Sequence, residues 1–142
     1  MEKKQNTKKP FIILLITAAV ILLFGLKGCG DILHAETISV ASEKFSQDDI
    51  SQAVRTIKAD FFRNYNDCTL LTIRYAGDSR QSDSSVNRQW GGDENITILI
   101  SFSTGKASSQ QGFQPDMTYE NWSVIMVREK GANWRIVNSG LG

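Results

Sequence analysis

Paired carboxylate and tyrosine side chains are the residues of this sequence that could transfer protons. Asp60 precedes Tyr65 by five positions, and Asp78 follows Tyr75 by three. A carboxyl group of raised pKa beside a tyrosine hydroxyl can move a proton to and from a substrate. We expect Asp60 to face solvent on a predicted helix, however, and Asp78 to lie in a turn. We therefore predict no catalytic residue, with a small proton-transfer enzyme as the alternative.

Cysteine and histidine are too sparse for a metal site or a catalytic triad. The chain has Cys29, Cys68 and the single histidine His34. Zinc sites of the usual kind take several such side chains, and a hydrolase triad needs a histidine near its nucleophile. We predict no metal and no cofactor, and we interpret Cys68 as a small buried hydrophobic residue.

Cys29 is the candidate for covalent modification. It ends Leu26-Lys27-Gly28-Cys29, which resembles the lipobox of bacterial lipoproteins, in which a peptidase cuts before a cysteine that carries a diacylglyceryl group. Leu26 and Gly28 fit that pattern. Lys27 departs from it, because its position usually holds a small or apolar residue.

An uncharged apolar segment at 11–26 decides the compartment. As a helix it would be about 24 Å long, and counting Pro10, Lys27, Gly28 and Cys29 as well brings it close to the roughly 30 Å hydrocarbon core. We predict a basic cytoplasmic region at 1–10, then a transmembrane helix or lipoprotein signal at 11–28. Cleavage after Ala35 is the weaker option, because Leu33 is large where a small residue is preferred. The basic residues that precede the apolar segment are Lys3, Lys4, Lys8 and Lys9.

The remainder of the chain is of the size and charge of one ordinary domain. Residues 36–142 contain 11 Lys and Arg against 13 Asp and Glu, which gives a net charge of −2. A mildly acidic domain without a basic run lacks the electrostatic footprint of a nucleic-acid-binding protein. We predict that 29–44 is a linker, with a short leading strand possible in 31–44, and that 45–142 is one extracytoplasmic domain.

A helix of about 18 residues is predicted to begin at Ser46. Ser46 and Asp49 make a near-capping box, and Phe45 with Ile50 makes the matching hydrophobic staple. The apolar residues that follow recur at helical spacing and form one stripe, which needs a sheet or another helix to cover it. These residues are Ile50, Ala53, Val54, Ile57 and Phe61.

Four strands are predicted after the helix. The segments 68–76 and 95–103 alternate apolar and polar residues, 122–128 is apolar on both faces, and 134–139 follows a short polar loop with Gly131. That loop predicts a hairpin. The order of elements predicts an α+β domain, with the helix packed on a curved antiparallel sheet of four or more strands.

Two long connections, 77–94 and 104–118, carry the candidate contact residues. Long structureless loops are uncommon in compact domains, so each connection either contains a missed strand or is a working loop. Trp90 lies in the first connection, and Phe113 and Tyr119 lie in and just after the second. We predict partner or ligand contacts at Trp90, Phe113 and Tyr119. The alternative is that these rings fold back over the sheet.

A family resemblance covers about 45–142 and lies in the helix start from Phe45, in Cys68-Thr69-Leu70, and in the segments around Trp122 and Trp134. In these motifs the chain resembles an uncharacterised family of small exported proteins from Firmicutes. The resemblance implies a cystatin-like, nuclear transport factor 2-like cone, in which a curved sheet wraps around the helix. The wider superfamily includes isomerases and dehydratases, but this family has no assigned activity.

The predicted function is binding outside the cytoplasm. We expect a bacterial cell-membrane protein, held by residues 11–28 or by lipidated Cys29, whose domain binds another envelope protein, a cell-wall component or a small apolar ligand. The remaining alternative is a structural accessory or immunity-type envelope protein. That role would leave a large exposed apolar patch and no pocket.

Overall fold

The computed structural model describes residues 30–141, in which one long helix packs against a five-stranded sheet. This α+β arrangement confirms the predicted fold class at that level. The strands are β1 (Glu36–Ile38), β2 (Cys68–Tyr75), β3 (Glu94–Thr104), β4 (Thr118–Arg128) and β5 (Arg135–Leu141). The helices are α1 (Gln47–Asn64) and α2 (Ser84–Trp90), and the strands lie side by side in chain order.

Helix α1 begins where its capping residues predict. The Ser46 hydroxyl accepts a hydrogen bond from the Asp49 backbone N–H, and the Asp49 carboxylate accepts one from the Ser46 backbone N–H, each at 3.1 Å. Both halves of the capping box are therefore formed. Phe45 packs edge-on against the rings of Tyr75 and Trp134. The five predicted apolar residues of the stripe are all buried.

The sheet is mixed, so the prediction of an antiparallel sheet is wrong for its first strand. Strands β2 to β5 pair antiparallel, whereas β1 pairs parallel with β2. The reason is the connection: α1 lies between β1 and β2 and carries the chain back to the end of the sheet where β1 began. A helical crossover of this kind joins parallel neighbours.

Three strand pairs of the sheet contain an irregularity. The register shifts between Leu70 and Thr72, between Ile100 and Phe102, and between Ile125 and Met126. An extra residue in one strand increases the local twist and bends that strand. The core between α1 and the sheet is one cluster of buried side chains from the helix and from all four long strands or their flanks.

Neither long connection contains a strand. The first holds a 3₁₀ turn at Asp78–Arg80 followed by α2, and the second holds a 3₁₀ helix at Lys106–Gln111. Asp83 caps the start of α2, and Gly91 ends it in the left-handed region at a φ of 65°. The second connection is shorter than predicted, because β4 already begins at Thr118.

The predicted anchor lies outside the described part of the chain. Residues 11–28 and Cys29 precede residue 30, where the description begins. Within 30–141, none of the helices has the length and apolar character needed to cross a bilayer. The segment from Gly30 onwards is hydrogen bonded to the domain, and it contributes β1.

Candidate functional site

The predicted contact residues lie in two separate places. Phe113 and Tyr119 meet in one aromatic cluster, with ring centroids 5.5 Å apart. Trp90 lies at the opposite end of the sheet, where α2 ends beside the start of β3, and 40% of its surface is exposed. Arg135 donates hydrogen bonds to the backbone carbonyls of Trp90 and Gly91 and so fastens this loop to β5.

The aromatic cluster fills the end of the domain where β3 ends and β4 begins. Phe102 is fully buried at its centre, stacked on Tyr119 at 5.1 Å and edge-on to Phe113 at 5.2 Å. The Tyr119 hydroxyl accepts a hydrogen bond from the Gln114 backbone at 3.0 Å. Phe113 and Tyr119 thus fold back over the sheet, which was the alternative to their prediction as contact residues. The cluster comprises Phe61, Tyr65, Phe102, Phe113, Tyr119 and Trp122.

A cleft of about 310 Å³ opens between β1 and the first half of α1. Its floor is apolar and buried, formed by Ile50 and Val54 of the helix and Tyr75 of β2. Such a shape, with an apolar floor and a few polar groups at the rim, is typical of ligand sites, and its volume is at the lower end of their range. The remaining lining residues are Thr37, Ile38, Ser39, Gln47, Ser51 and Arg55.

Strand β1 forms one wall of this cleft and is also an edge of the sheet. It is paired with β2 on one side only, and its three residues are exposed. The Lys58 ammonium donates a hydrogen bond to the Thr37 hydroxyl at 3.1 Å and joins the wall to the helix. The outer backbone groups of an edge strand are free to pair with another extended segment.

Arg55 supplies positive charge at the cleft rim. Its guanidinium makes no salt bridge with any carboxylate of residues 30–141, whose two ion pairs both belong to Arg128. An arginine without a partner can donate several hydrogen bonds in a plane to a carbonyl or carboxylate group of a bound molecule.

No local pattern in the sequence marks the cleft. Its walls come from 37–39 and 47–55, and its floor includes Tyr75, which is brought beneath them only by the parallel pairing of β1 with β2. The one usable signal was the alternative of a short leading strand within 31–44.

The Tyr75 and Asp78 pair is formed, but its charge state does not suit acid catalysis. The Tyr75 hydroxyl donates to the Asp78 carboxylate at 2.7 Å, as does the Ser42 hydroxyl at 2.6 Å, and the Glu43 backbone donates at 2.8 Å. These bonds, led by that of Ser42, lower the pKa of Asp78 to about 2. Burial, followed by the bond to Asp78, raises the pKa of Tyr75 to about 12. Asp78 is therefore an ionised acceptor that fastens the segment before α1 to the end of β2.

The other candidate pair is not formed. The Asp60 carboxylate accepts a hydrogen bond from the Asn64 side chain at 2.6 Å, one turn along the exposed helix surface. Tyr65 is buried in the aromatic cluster instead, and burial raises the pKa of its hydroxyl.

Arg128 is a buried charged residue, and its guanidinium forms salt bridges with two carboxylates. Its guanidinium contacts Asp49 at 2.6 Å and Glu94 at 2.7 Å, and it lies 4.1 Å from the ring centre of Trp134. A depression of about 400 Å³ borders it. Arg55 also lines this depression, but so do Asp48 and Asp49, so the positive charges there are matched by carboxylates. This network fastens the start of α1 to β3 and β4.

Metal and thiol chemistry find no support in the described region. Within residues 30–141, no group of three or more His, Cys, Asp or Glu side chains is placed to hold a metal ion. Cys68 is buried, and burial raises the pKa of its thiol to about 11, so the reactive thiolate is not populated at neutral pH. The interpretation of Cys68 as a buried hydrophobic residue is confirmed.

Comparisons of the chain with protein-family models, with curated proteins and with solved structures found no match.

Proposed function

We propose that this chain is a membrane-anchored extracytoplasmic binding domain and that the cleft between β1 and α1 is its binding site. The observation that carries the proposal is the cleft itself: about 310 Å³ over a buried apolar floor, beside an edge strand. Predicted contacts at Phe113 and Tyr119 are less favoured, because both rings already pack into the domain.

The occupant we propose is an extended segment of another envelope protein. Its backbone would pair with the free edge of β1, and one of its apolar side chains would fill the cleft over Ile50 and Val54. This is the recognition mode of β-strand addition, in which backbone hydrogen bonds supply affinity and a side-chain pocket supplies specificity. Arg55 at the rim would bind a carbonyl or carboxylate group of the segment. A free small apolar ligand is the alternative occupant.

The anchoring part of the proposal is supported by the sequence and by the start of the domain. Residues 11–28 would span the membrane, or Cys29 would be lipidated, on the outer face of a bacterial cell membrane. The Asp31 backbone donates to Cys68 and accepts from Leu70, both at 2.8 Å, and Ala35 packs against the core. Cleavage after Ala35 would remove these contacts, so release into solution has less support than retention.

We propose that the fold is a cystatin-like cone, as the family resemblance implies. In support, α1 packs against the sheet through the common core, and three strand pairs contain register shifts of the kind that bend strands. The parallel strand β1 is the feature that departs from the expected sheet.

Two other functions have less support. A proton-transfer enzyme would need a carboxyl group of raised pKa in the cleft, whereas the pKa of Asp78 is lowered to about 2. A purely structural accessory or immunity-type protein would need no cleft of this shape.

The proposal can be tested by site-specific photo-crosslinking in cells that make the full chain. A photoreactive phenylalanine analogue at Ile38 or Ser51 should give one discrete protein adduct, because both residues line the cleft. The same analogue at exposed Leu71, which lies outside the cleft, should not. Adducts formed at Trp90 instead would move the binding site to the α2 loop.

A blocking substitution sharpens the test. Ser51→Trp adds bulk at the cleft wall and should abolish the adduct at Ile38. Gln52→Trp is the matched control, because the Gln52 side chain points to Asn133 of the β4–β5 hairpin, at 2.7 Å. Equal adduct yields in the two variants would contradict the proposal. Adducts to a small molecule, found by mass spectrometry, would favour the alternative occupant.

A further inference from the structure

The first described residues are tied tightly to one end of the domain. The Gly30 backbone donates to the Phe62 carbonyl at 3.1 Å, at the end of α1, and Asp31 forms a parallel bridge with Thr69 at the start of β2. A side chain at position 30 could not be accommodated, because its Cβ would lie 2.6 Å from the Phe61 carbonyl oxygen. The chain therefore joins the domain at a defined point, one residue after Cys29.

That point belongs to the end of the sheet where β2 begins, β3 ends and β4 begins. Strand β3 has 11 residues, so its two ends are about 35 Å apart. Trp90, the Arg128 network and the β4–β5 hairpin lie at the far end.

Exposed apolar side chains are concentrated on the half of the domain near Gly30. Ile38 lies in the cleft and Trp90 at the far end, whereas Leu33 is 86% exposed, Met117 47% and Phe62 38%. The Met117 carbonyl accepts from Thr104, the last residue of β3, which places Met117 at the near end. Leu71 and Leu141 are the two other exposed apolar residues. Leu141 is the last residue of β5 and pairs with Trp122 in the first half of β4, whereas Leu71 lies at the register shift in the first half of β2 and has no partner on β3.

The segment between Gly30 and Thr37 runs beside the last two turns of α1. The Lys58 side chain donates a hydrogen bond to the Thr37 hydroxyl, and one turn later the Phe62 backbone carbonyl accepts a hydrogen bond from the Gly30 backbone. Leu33 is at most about 10 Å from Gly30 along this segment. Leu33 and Phe62 therefore belong to one surface. We name Leu33, Phe62 and Met117 the anchor-end surface.

We propose that the anchor-end surface lies on the outer leaflet of the membrane and inserts its apolar side chains among the lipid headgroups. This inference rests on the proposed anchoring. If Cys29 carries lipid, the acyl chains start one residue from Gly30. If residues 11–28 span the membrane, Leu26 is at most about 14 Å from Gly30. Either way, the apolar surface next to Gly30 is held at the bilayer.

This orientation has a consequence for the cleft. The cleft is lined by the first half of α1, and α1 is about 27 Å long with its last turn at Gly30. A domain that rests on the anchor-end surface therefore holds the cleft above the headgroups, where an extended segment of a neighbouring protein can reach it.

Photo-crosslinking of the full chain in isolated membranes tests the inference. The photoreactive analogue at Leu33 or Met117 should give adducts with the mass of a phospholipid. The analogue at Trp90, which is exposed to a similar degree as Met117 but lies at the far end, should not.

The outcomes separate this inference from the proposed function. A chain that sediments with membranes but gives no lipid adduct at either position would overturn the orientation and leave the anchor standing. Protein adducts at Leu33 and Met117 would likewise overturn it, since they would mean that a second copy or another protein covers the surface. A chain absent from the membrane fraction would overturn both proposals.

Discussion

The two ends of the domain are held together by different physical interactions. At the end near Gly30, the aromatic cluster packs rings from α1, β3, β4 and the loop around Phe113. At the far end, Arg128 joins α1 to β3 and β4 through Asp49 and Glu94, and Asp78 joins the segment before α1 to β2. Packing of rings is independent of pH, whereas the carboxylates of the far end must be ionised to act.

The difference agrees with the proposed orientation. The ring cluster needs no charge and lies behind the surface that we place on the lipid, whereas the far end depends on carboxylates that are partly exposed to water. The following experiments test how far the two ends differ, beginning with the largest expected effect.

Truncation of the central ring should cause the largest loss of stability. Phe102→Ala removes a fully buried side chain that contacts five other aromatic rings of the cluster. We expect a loss of about 4 kcal/mol in the free energy of unfolding, measured by urea denaturation. The control Phe62→Ala removes an exposed ring and should cost well under half as much. Similar losses in both variants would contradict the assigned packing.

Removal of the buried charge should cost somewhat less. Arg128→Ala leaves the carboxylates of Asp49 and Glu94 without their partner. We expect a loss of about 3 kcal/mol in the free energy of unfolding. This is the lower end of the range for broken buried ion pairs, because both carboxylates are partly exposed. Arg88→Ala, at an exposed arginine of α2, is the matched control and should change stability by about 0.5 kcal/mol or less. The measurement is again urea denaturation at neutral pH.

Loss of the helix cap should have a smaller effect. Ser46→Ala removes the acceptor of the Asp49 backbone N–H and should destabilise the domain by about 1 kcal/mol. Ser51→Ala, within α1, should be neutral or slightly stabilising, because alanine is the better helix former. If Ser46→Ala left the free energy of unfolding unchanged, Arg128, and not the cap, would determine where α1 begins.

Acid should loosen the far end before the near end. The hydrogen bond from Ser46, and then that from Arg128, lowers the pKa of Asp49, and the pKa of Asp78 is lowered to about 2. Because both pKa values are lower in the folded state, the stability they contribute is present above about pH 4 and is lost between about pH 4 and pH 2. Amide hydrogen exchange should show lost protection at 42–50 in that range, while the end of β3 stays protected.

A variant identifies the group responsible. Asp78→Asn should reduce the acid-dependent loss at 42–45, because the asparagine does not titrate. Equal loss of protection at both ends of β3 on acidification would remove the distinction between them.

The predictions that succeeded rest on neighbours in sequence. Ser46 and Asp49 are three residues apart, so their capping box could be identified without the fold. Strands β2 and β3 show their apolar alternation over a few residues, and their predicted bounds differ from the observed ones by at most one residue at each end. The short polar loop around Gly131 correctly predicted the pairing of β4 with β5.

The candidate site was predicted poorly for a complementary reason. An aromatic residue in a polar loop has the same sequence surroundings whether its ring is exposed or packed. The sequence therefore did not distinguish Trp90, which stays exposed, from Phe113, which packs on Phe102. Asp78 and Tyr75 were correctly seen as neighbours, but the largest cause of the lowered pKa of Asp78 is the hydrogen bond from Ser42, which lies 36 residues away in the sequence.

The sequence alone determined the period and caps of the long elements, the charge of the domain and the apolar segment before Cys29, because each depends on residues within a few positions of one another. Only the tertiary structure decided that β1 lies parallel to β2, that a cleft separates it from α1, and that Gly30 joins the chain at the aromatic end of the sheet. These features arise from pairing between segments distant in sequence. Such pairing leaves no mark in the local pattern of either segment.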